Sequence, residues 1–324
     1  MLISTRVRLR SGWSGGQYSL CRVLLGILLA AHLLRLLPGA TWGIRILLAA
    51  AVAGTLLLAV GWRDRAAAIL VLIVLGLVTV TPALAGVAPA PLDARVLVWP
   101  WFLMAHLLVP AAPYGSMAAR GRVDPRGDWD MPAWMPWVHR AAFVLLVLRV
   151  LGRGAGTADV VAVGLLGLLS FDPGWIAPAG RRAKARGADK HPETLFYDGT
   201  CGLCHGAVRF LLAEDRFARF RFAPLQSRAF RTALPKDERD ALPDSLVLKT
   251  REGTILTRAR AVRHLLASIG GSWRLIAAIA RIVPLPLADA AYDAVARVRH
   301  RLFRRPDDAC PLTPPDLRAR FLPG

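Results

Sequence analysis

The sequence predicts an α-helical membrane bundle of about six spans, followed by a small α/β domain. The 324-residue chain is 55% hydrophobic, yet it carries a net charge of +20, as expected of an apolar membrane part joined to a basic part. Long apolar segments fill residues 1–175, whereas residues 193–324 alternate short strand-like and helical patterns. Residues 176–192 between them are basic, contain Pro and Gly, and are interpreted as a linker.

Apolar segments in the first part have the length that a membrane-spanning helix needs, about 20 residues. The four clearest lie at residues 18–37, 44–61, 66–88 and 95–112, and two shorter candidates lie at 138–151 and 157–175. Trp134 and Trp137 precede the first short candidate, as in an interfacial aromatic belt. Six spans would leave both chain ends on one side of the membrane.

The arginines predict which side that is. Arg and Lys occur in the N-terminal tail, the 62–65 turn, the 113–137 loop and the linker, whereas the intervening loops contain only Arg153. Positive loops face the cytoplasm, so both termini and the C-terminal domain are predicted to be cytoplasmic in an integral membrane protein. The same charge attracts membrane lipid. Nucleic acid is not an expected partner, because no nucleic-acid-binding motif accompanies the charge.

Polar residues within the apolar segments allow different interpretations. His32 and His106 are either ligands or proton carriers, or they form hydrogen bonds inside the bundle. Arg22 lies near a helix end and is predicted to extend its guanidinium towards the interface as an anchor. Cys21 is predicted to be a small apolar filler.

The segment Leu195–Phe222 contains the chemistry on which the functional prediction depends. An apolar run at 194–197 predicts a strand, a turn follows at 198–200, and Cys201-Gly-Leu-Cys204 opens a helix predicted over 202–214. Free backbone N–H groups and the helix dipole stabilise a thiolate at such a position, and a thiolate is the nucleophile of disulfide exchange. Cys201, at the exposed helix start, is therefore the predicted nucleophile. Cys204, one turn further in and more buried, is predicted to resolve the mixed disulfide.

These residues also resemble a known family. The pattern Tyr-Asp-Gly-x-Cys-x-x-Cys at 197–204, followed by Phe-Ala-Pro-Leu-Gln-Ser at 222–227, resembles the DCC family of thiol-disulfide oxidoreductases, whose Asp and Cys pair correspond to Asp198, Cys201 and Cys204. The resemblance covers about residues 193–323, including the segments 242–248, 270–273, 301–303 and 308–310. It implies a thioredoxin-like fold and redox activity on protein disulfides of unassigned identity. Residues 18–22 with the following helix are faintly similar to the first span of HTTM domains, which are found linked to DCC domains.

The order of the predicted elements fits a thioredoxin-like sheet with helices on both faces. Strands are predicted at 194–197, 219–223, 245–250 and 254–257, and helices at 202–214, 226–233 and 258–269. Two further helices are predicted at 273–282 and 287–303, the second with an apolar docking face formed by Tyr292, Val295, Val298 and Leu302.

Other site residues follow from the resemblance. Thioredoxin-like folds carry a cis-proline beside the cysteine pair, where the backbone meets substrate, and the resemblance assigns that loop to Pro243 and Asp244. An ordinary strand-entry proline is the alternative. Gln226 either borders the same cleft or begins a helix. Cys310 is either a further redox partner or a packing residue of the tail.

Asp198 has two candidate roles: it accepts the proton of a thiol during exchange, or its side chain accepts N–H bonds within the turn. No cofactor is expected, because cysteine sulfur alone carries the cycle. Structural zinc, with His205 and Cys310 completing the ligands, is disfavoured because no second cysteine or histidine pair is present. The sequence thus predicts a membrane-anchored thiol-disulfide oxidoreductase. The alternative is a membrane transport or lipid-handling protein whose C-x-x-C domain is a redox sensor or a metal-binding module.

Overall fold

The computed structural model describes residues 12–84, 94–127, 129–153, 192–303 and 314–323, together with Gly164, Gly167 and Pro173. It separates into two compact units. The helical unit comprises Met1–Arg120 and Asp128–Asp172, and the cysteine unit comprises Gly121–Gly127 and Pro173–Gly324. Most of the predicted span at 157–175, the predicted linker and Cys310 lie outside the described residues.

The helical unit contains helices where the long apolar segments predicted them. They are α1 (Gly15–Leu36), α2 (Trp42–Val60), α3 (Asp64–Leu84), α4 (Ala94–Leu108) and α5 (Met135–Arg153). Ser14 begins α1, because its hydroxyl accepts the N–H of Gln17 at 3.4 Å. Gly61 ends α2 in the left-handed conformation with φ of 71°, which glycine adopts without steric cost.

Two of the described helices, α1 and α2, are long and apolar enough to cross a membrane. Their packed faces contribute Leu29, Leu33 and Leu58 to one apolar core, which also contains Val71 of α3 and Leu103 of α4. Their other faces leave large apolar side chains exposed, among them Ile27 and Ile46. This distribution is consistent with membrane association, and the number of about six spans stays a prediction.

The cysteine unit is built on a small mixed sheet. Its strands are β1 (Glu193–Tyr197), β2 (Phe220–Pro224), β3 (Val247–Lys249) and β4 (Ile255–Thr257), in the order β2-β1-β3-β4. β1 pairs parallel with β2 and antiparallel with β3, and β3 pairs antiparallel with β4. The helices are α6 (Gly202–Glu214), α7 (Arg228–Ala233), α8 (Lys236–Asp240), α9 (Arg258–Ile269), α10 (Gly271–Ala280), α11 (Leu285–Leu302) and α12 (Pro315–Arg318).

Strand β1 shows why the predicted run is apolar without alternation. Leu195 and Tyr197 pack in one core cluster with α6 and α9, whereas Phe196 points to the opposite face and packs with Phe230 of α7. Both faces of the strand are therefore buried. The predicted order of strands and helices is confirmed, and the two short helices α8 and α12 were not predicted.

Candidate functional site

The turn after β1 is held by the side chain that begins it. Asp198 Oδ1 accepts the N–H of Thr200 at 2.8 Å and its hydroxyl at 2.7 Å, an Asx turn. Cys201 follows as the N-cap of α6, with extended backbone, and His205 N–H donates to the Cys201 carbonyl. The predicted arrangement of strand, turn and helix is confirmed, with the cysteine pair at the start of the helix.

The two cysteines are free thiols in hydrogen-bond contact with each other. Cys201 is wholly buried at 0% exposure, and Cys204 is 8% exposed. The prediction that Cys201 is exposed and Cys204 the more buried is therefore wrong, because Cys201 lies within the apolar core cluster that includes Leu195 and Tyr197. The pKa of Cys204 is raised to about 12, mainly by burial and also by the hydrogen bond and charge of Cys201, while the charge of Arg299 opposes this rise.

Helix α11 brings an arginine to the cysteines that the sequence did not reveal. Arg299 is 3% exposed, and its Nη2 donates to Asp244 Oδ1 at 2.7 Å and to Asp198 Oδ2 at 3.4 Å. Its charge acts on both cysteine sulfurs. Burial lowers the pKa of Arg299, but the hydrogen bond and charge of Asp244 outweigh burial, so the pKa lies above its usual value and the guanidinium is charged.

The face of α11 that docks was predicted only in part. Tyr292, one of the predicted residues, accepts the N–H of Leu246 at 3.1 Å. Val295 is 49% and Val298 39% exposed, and Arg299 is buried instead. Asp289, on the same face, accepts the N–H of Ala259 at the start of α9. The spacing from Asp289 through Tyr292 to Arg299 is helical, so periodicity was the available signal; a search for apolar residues alone missed it.

Of the other predicted site residues, Gln226 and Asp244 lie at this site. Gln226 Oε1 accepts the N–H of Gly199 at 3.3 Å, and its Nε2 donates to Asp198 Oδ1 at 3.4 Å. Asp244 bonds Arg299 from an exposed position. Pro243 precedes it, but the described residues contain no cis peptide bond, so the predicted cis-proline is wrong. The trans isomer is the default state of a bond before proline.

The charge of Asp198 is stabilised by its surroundings. Partial burial raises the pKa of this carboxyl, but the hydrogen bonds of Thr200, the charge of Arg299 and the Gln226 amide outweigh burial, and the pKa lies below its usual value. An ionised Asp198 with a low pKa is a poor proton acceptor near neutral pH and a good partner for Arg299.

The zinc alternative named His205 as a ligand. Its Nε2 lies 3.0 Å from the carbonyl oxygen of Gly199, and its ring packs edge-on against Tyr197. Within the described part of the chain, no group of three or more His, Cys, Asp and Glu residues is arranged to hold a metal ion. Cys310, the other proposed ligand, lies outside that part.

Comparisons with known proteins concern the same region. Residues 195–305 match the family model of the DCC1-like thiol-disulfide oxidoreductases. The chain is 33% identical over 135 residues to the uncharacterized protein YuxK of Bacillus subtilis, covering 40% of this chain and 94% of that protein. It is 33% identical over 124 residues to a chloroplastic DCC family protein of Arabidopsis thaliana, covering 38% of this chain and 71% of that protein. No solved structure matches the chain significantly.

Proposed function

Because the chain belongs to the DCC1-like thiol-disulfide oxidoreductase family, we propose that it is a membrane-anchored enzyme that exchanges protein disulfides through Cys201 and Cys204. The observation that carries the proposal is the contact between two free thiols at the N-terminus of α6, beside the charged guanidinium of Arg299. A helix N-terminus and a neighbouring cation are the surroundings in which a cysteine becomes a reactive thiolate.

The proposed reaction needs only sulfur chemistry. The Cys201 thiolate attacks one sulfur of a substrate disulfide, forms a mixed disulfide, and releases the other substrate sulfur as a thiolate that takes up a proton. Cys204 gives up its proton, attacks Cys201, and releases the second substrate thiol. The substrate gains two electrons and two protons, and the protein is left with a Cys201–Cys204 disulfide. The reverse sequence oxidises a substrate dithiol.

Residues around the pair are proposed to position it. Asp198 fixes the turn that presents Cys201, and together with Asp244 it holds Arg299 next to the sulfurs. Gln226 supports the same turn through Gly199. Of its two candidate roles, Asp198 is thus proposed to hold the turn and not to accept the thiol proton, because its lowered pKa disfavours proton uptake. Pro243 and Asp244 remain proposed substrate contacts at the edge of the site, and Cys310 a proposed further redox partner.

Access to Cys201 requires movement in this proposal. The thiol is wholly buried, and α11 lies against the pair through Arg299. A protein disulfide reaches the sulfur only if α11 shifts or if the turn at 198–200 opens. Arg299 is therefore proposed to hold the helix in place.

The architecture of both units supports the proposal. The order of strands in the sheet is typical of a thioredoxin-like domain. Helices α1 and α2 have the length and hydropathy of membrane spans. Exposed Ile279, Ile282 and Leu287 stand beside exposed Arg281 where α10 meets α11, a combination suited to an anionic lipid surface. About six spans with both termini cytoplasmic, and an HTTM-like membrane part, are further parts of the proposal.

Trapping of the mixed disulfide tests the proposal. The full-length Cys204→Ser variant, expressed in native membranes, should accumulate a covalent partner that dithiothreitol releases and that mass spectrometry identifies at Cys201. The Cys201→Ser/Cys204→Ser double variant is the matched control and should trap nothing. If the single variant traps neither a membrane protein nor an added peptide disulfide, exchange through this pair is ruled out.

A further inference from the structure

The helical unit contains a buried polar cluster that the thiol chemistry does not use. Tyr18, Cys21 and Arg22 of α1, His106 of α4 and His139 of α5 line one cavity, which we call the Arg22 cavity. Its volume, counted as the space that the centre of a water molecule can occupy, is about 20 Å³, and it is partly open to solvent. Polar groups at such a position are expensive unless each finds a partner, so the hydrogen bonds of each group decide what the cavity does.

Arg22 has no such partner within the described residues. The side chain is buried at 1% exposure, against the prediction that it would extend to an interface. The nearest described carboxylate, Asp64 Oδ2, lies 3.7 Å from Nη1, and none of its three guanidinium nitrogens has a hydrogen-bond partner among the described residues. Asp64 balances the charge at this distance, but a buried guanidinium without hydrogen bonds is costly, and a bound group that accepts them would offset that cost.

His106 and His139 of the Arg22 cavity also have a buried ring nitrogen without a hydrogen-bond partner among the described residues. The Tyr18 hydroxyl lies 2.8 Å from Nδ1 of His106, which leaves Nε2 of that ring 3.6 Å from Asp64 and without a hydrogen bond. Nδ1 of His139 is also buried without a hydrogen-bond partner in the described part of the chain. Ring nitrogens from two helices therefore join the guanidinium around one space, and in suitable tautomers each can donate a hydrogen bond.

The guanidinium of Arg22 lies directly against the backbone of Gly61. A Cβ added at Gly61 would lie 1.6 Å from Nη1 of Arg22, so only glycine leaves the necessary room. Gly61 also has φ of 71°, which strains any other residue. The close approach therefore leaves the guanidinium room at the cavity wall.

We propose that the Arg22 cavity binds a small oxyanion group, a carboxylate or a phosphate, either as a free anion or as the headgroup of a lipid. The planar fork of a guanidinium matches two oxygens of one such group, and charge-assisted hydrogen bonds of this kind are about twice as strong as neutral ones. His139 and His106 would donate to the remaining oxygen positions. The single carboxylate nearby, Asp64, stands too far from Arg22 for a hydrogen bond and leaves the fork open.

Thermal stability of the full-length protein in a neutral maltoside detergent tests this. The probes are sodium acetate, sodium phosphate, oleate and phosphatidic acid, each against sodium chloride at equal ionic strength. We expect at least one oxyanion probe to raise the melting temperature in a saturable way. Stabilisation by acetate or phosphate identifies a free anion, and stabilisation by oleate or phosphatidic acid alone identifies a lipid headgroup.

Variants locate the site. Arg22→Gln should abolish the stabilisation, and His139→Gln should weaken apparent affinity about tenfold, as expected for one lost hydrogen bond to a charged group. Arg45→Gln removes an exposed arginine of α2 and should leave the response unchanged. If Arg22→Gln does not fold, His139→Gln decides alone. Equal responses to chloride and to every oxyanion would mean that the cavity binds no oxyanion. A full response in Arg22→Gln, or in His139→Gln where Arg22→Gln does not fold, would mean that the oxyanion binds elsewhere.

Discussion

Both units bury an arginine at the site of interest, Arg299 beside the cysteines and Arg22 in the helical unit, but the two side chains differ in their hydrogen bonds. Arg299 in the cysteine unit bonds two carboxylates, Asp198 and Asp244. Arg22 in the helical unit has one carboxylate at 3.7 Å and, within the described residues, no hydrogen bond. Burying a charge is tolerated when hydrogen bonds compensate it, so the first guanidinium is compensated by hydrogen bonds, whereas the second has, in the part of the chain that the structure describes, only the ion pair with Asp64.

The difference bears on how each unit is proposed to act. In the cysteine unit the protein supplies both the charge and its countercharge, and its own sulfurs are the proposed reacting atoms. In the helical unit the protein supplies hydrogen-bond donors, and the proposed acceptor comes from outside. Each prediction below changes one of the two units and so tests this comparison.

The largest effect is expected from the thiols themselves. Each unit contains a buried free cysteine, Cys201 in one and Cys21 in the other. Cys201→Ser should lower the rate of peptide-disulfide reduction at least about 1,000-fold, because an enzyme that loses its nucleophile keeps little activity. Cys21→Ser, the matched control, should leave the rate within about twofold, because Cys21 packs in the apolar core. The measurement is the single-turnover rate of the full-length protein.

The same pair of variants separates an enzyme from a redox sensor. A sensor with a Cys201→Ser change would lose its response to oxidation but would have no turnover to lose. Equal turnover in wild type and Cys201→Ser would contradict the proposed nucleophile directly.

Gly61→Ala acts on the helical unit only. The new methyl group would collide with Arg22, and the residue would keep a positive φ, so we expect a loss of about 2–4 kcal/mol in stability. Gly39→Ala, where an added Cβ meets nothing within 4 Å, is the control. Thermal melting in detergent measures both. If Gly61→Ala and Gly39→Ala have the same melting temperature, Arg22 does not lie against Gly61 as described. Peptide-disulfide reduction by the remaining folded protein should be unchanged.

Arg299→Gln removes the charge that pairs with Asp198 and Asp244 in the cysteine unit. Asp198 and Asp244 lose their cation, but Asp244 is exposed and can be rehydrated, so we expect a moderate loss of about 1–3 kcal/mol. With α11 released, iodoacetamide should modify Cys201 about tenfold faster, as one lost ion pair can change the open population by that factor. Without the nearby cation, the pKa of Cys204 should rise further above its present value of about 12.

Arg297→Gln on the same helix is the matched control, because that side chain is exposed. It should change neither the melting temperature nor the alkylation of Cys201, measured by peptide-resolved mass spectrometry. Equal alkylation in the two variants would mean that α11 does not control access.

The sequence predicted the local geometry of the cysteine site and missed its surroundings. Strand β1, the turn and the N-cap at Cys201 depend on neighbouring residues, and local patterns report those. The burial of Cys201 depends on an apolar cluster that also contains Leu248 and Leu265, and Arg299 approaches from α11, so residues far apart in the sequence form these surroundings. Periodicity identified α11 but favoured its apolar residues, whereas a polar face docks.

The helical unit shows the same limit. Hydropathy located α1 because it measures length and composition. It also suggested that Arg22 reaches an interface, since long cations near helix ends usually do so. The arginine is buried instead because Gly61 leaves room for it and Asp64 lies beside it, and these residues belong to other parts of the sequence.

The smallest effect is expected from Asp198→Asn, which keeps the oxygen that accepts from Thr200 and removes the charge that faces Arg299. The pKa of Asp198 is lower in the folded protein than its usual value of about 4. Its stabilising contribution is therefore complete above about pH 4 and is lost as the pH falls through the lower, folded value. Asp198 is only partly buried and its contact with Arg299 is long, at 3.4 Å, so we expect a contribution of about 1 kcal/mol or less.

Wild type should consequently lose more stability than Asp198→Asn between pH 5 and pH 2 (a range set by the unfolded pKa of about 4), with exposed Asp240→Asn as the control. Urea unfolding at each pH measures this. Exchange rates above about pH 6 should show the same pH dependence in wild type and Asp198→Asn, because the carboxylate is already ionised there. A shifted profile would instead mean that Asp198 takes up the thiol proton, and the positioning role proposed for it would have to be abandoned.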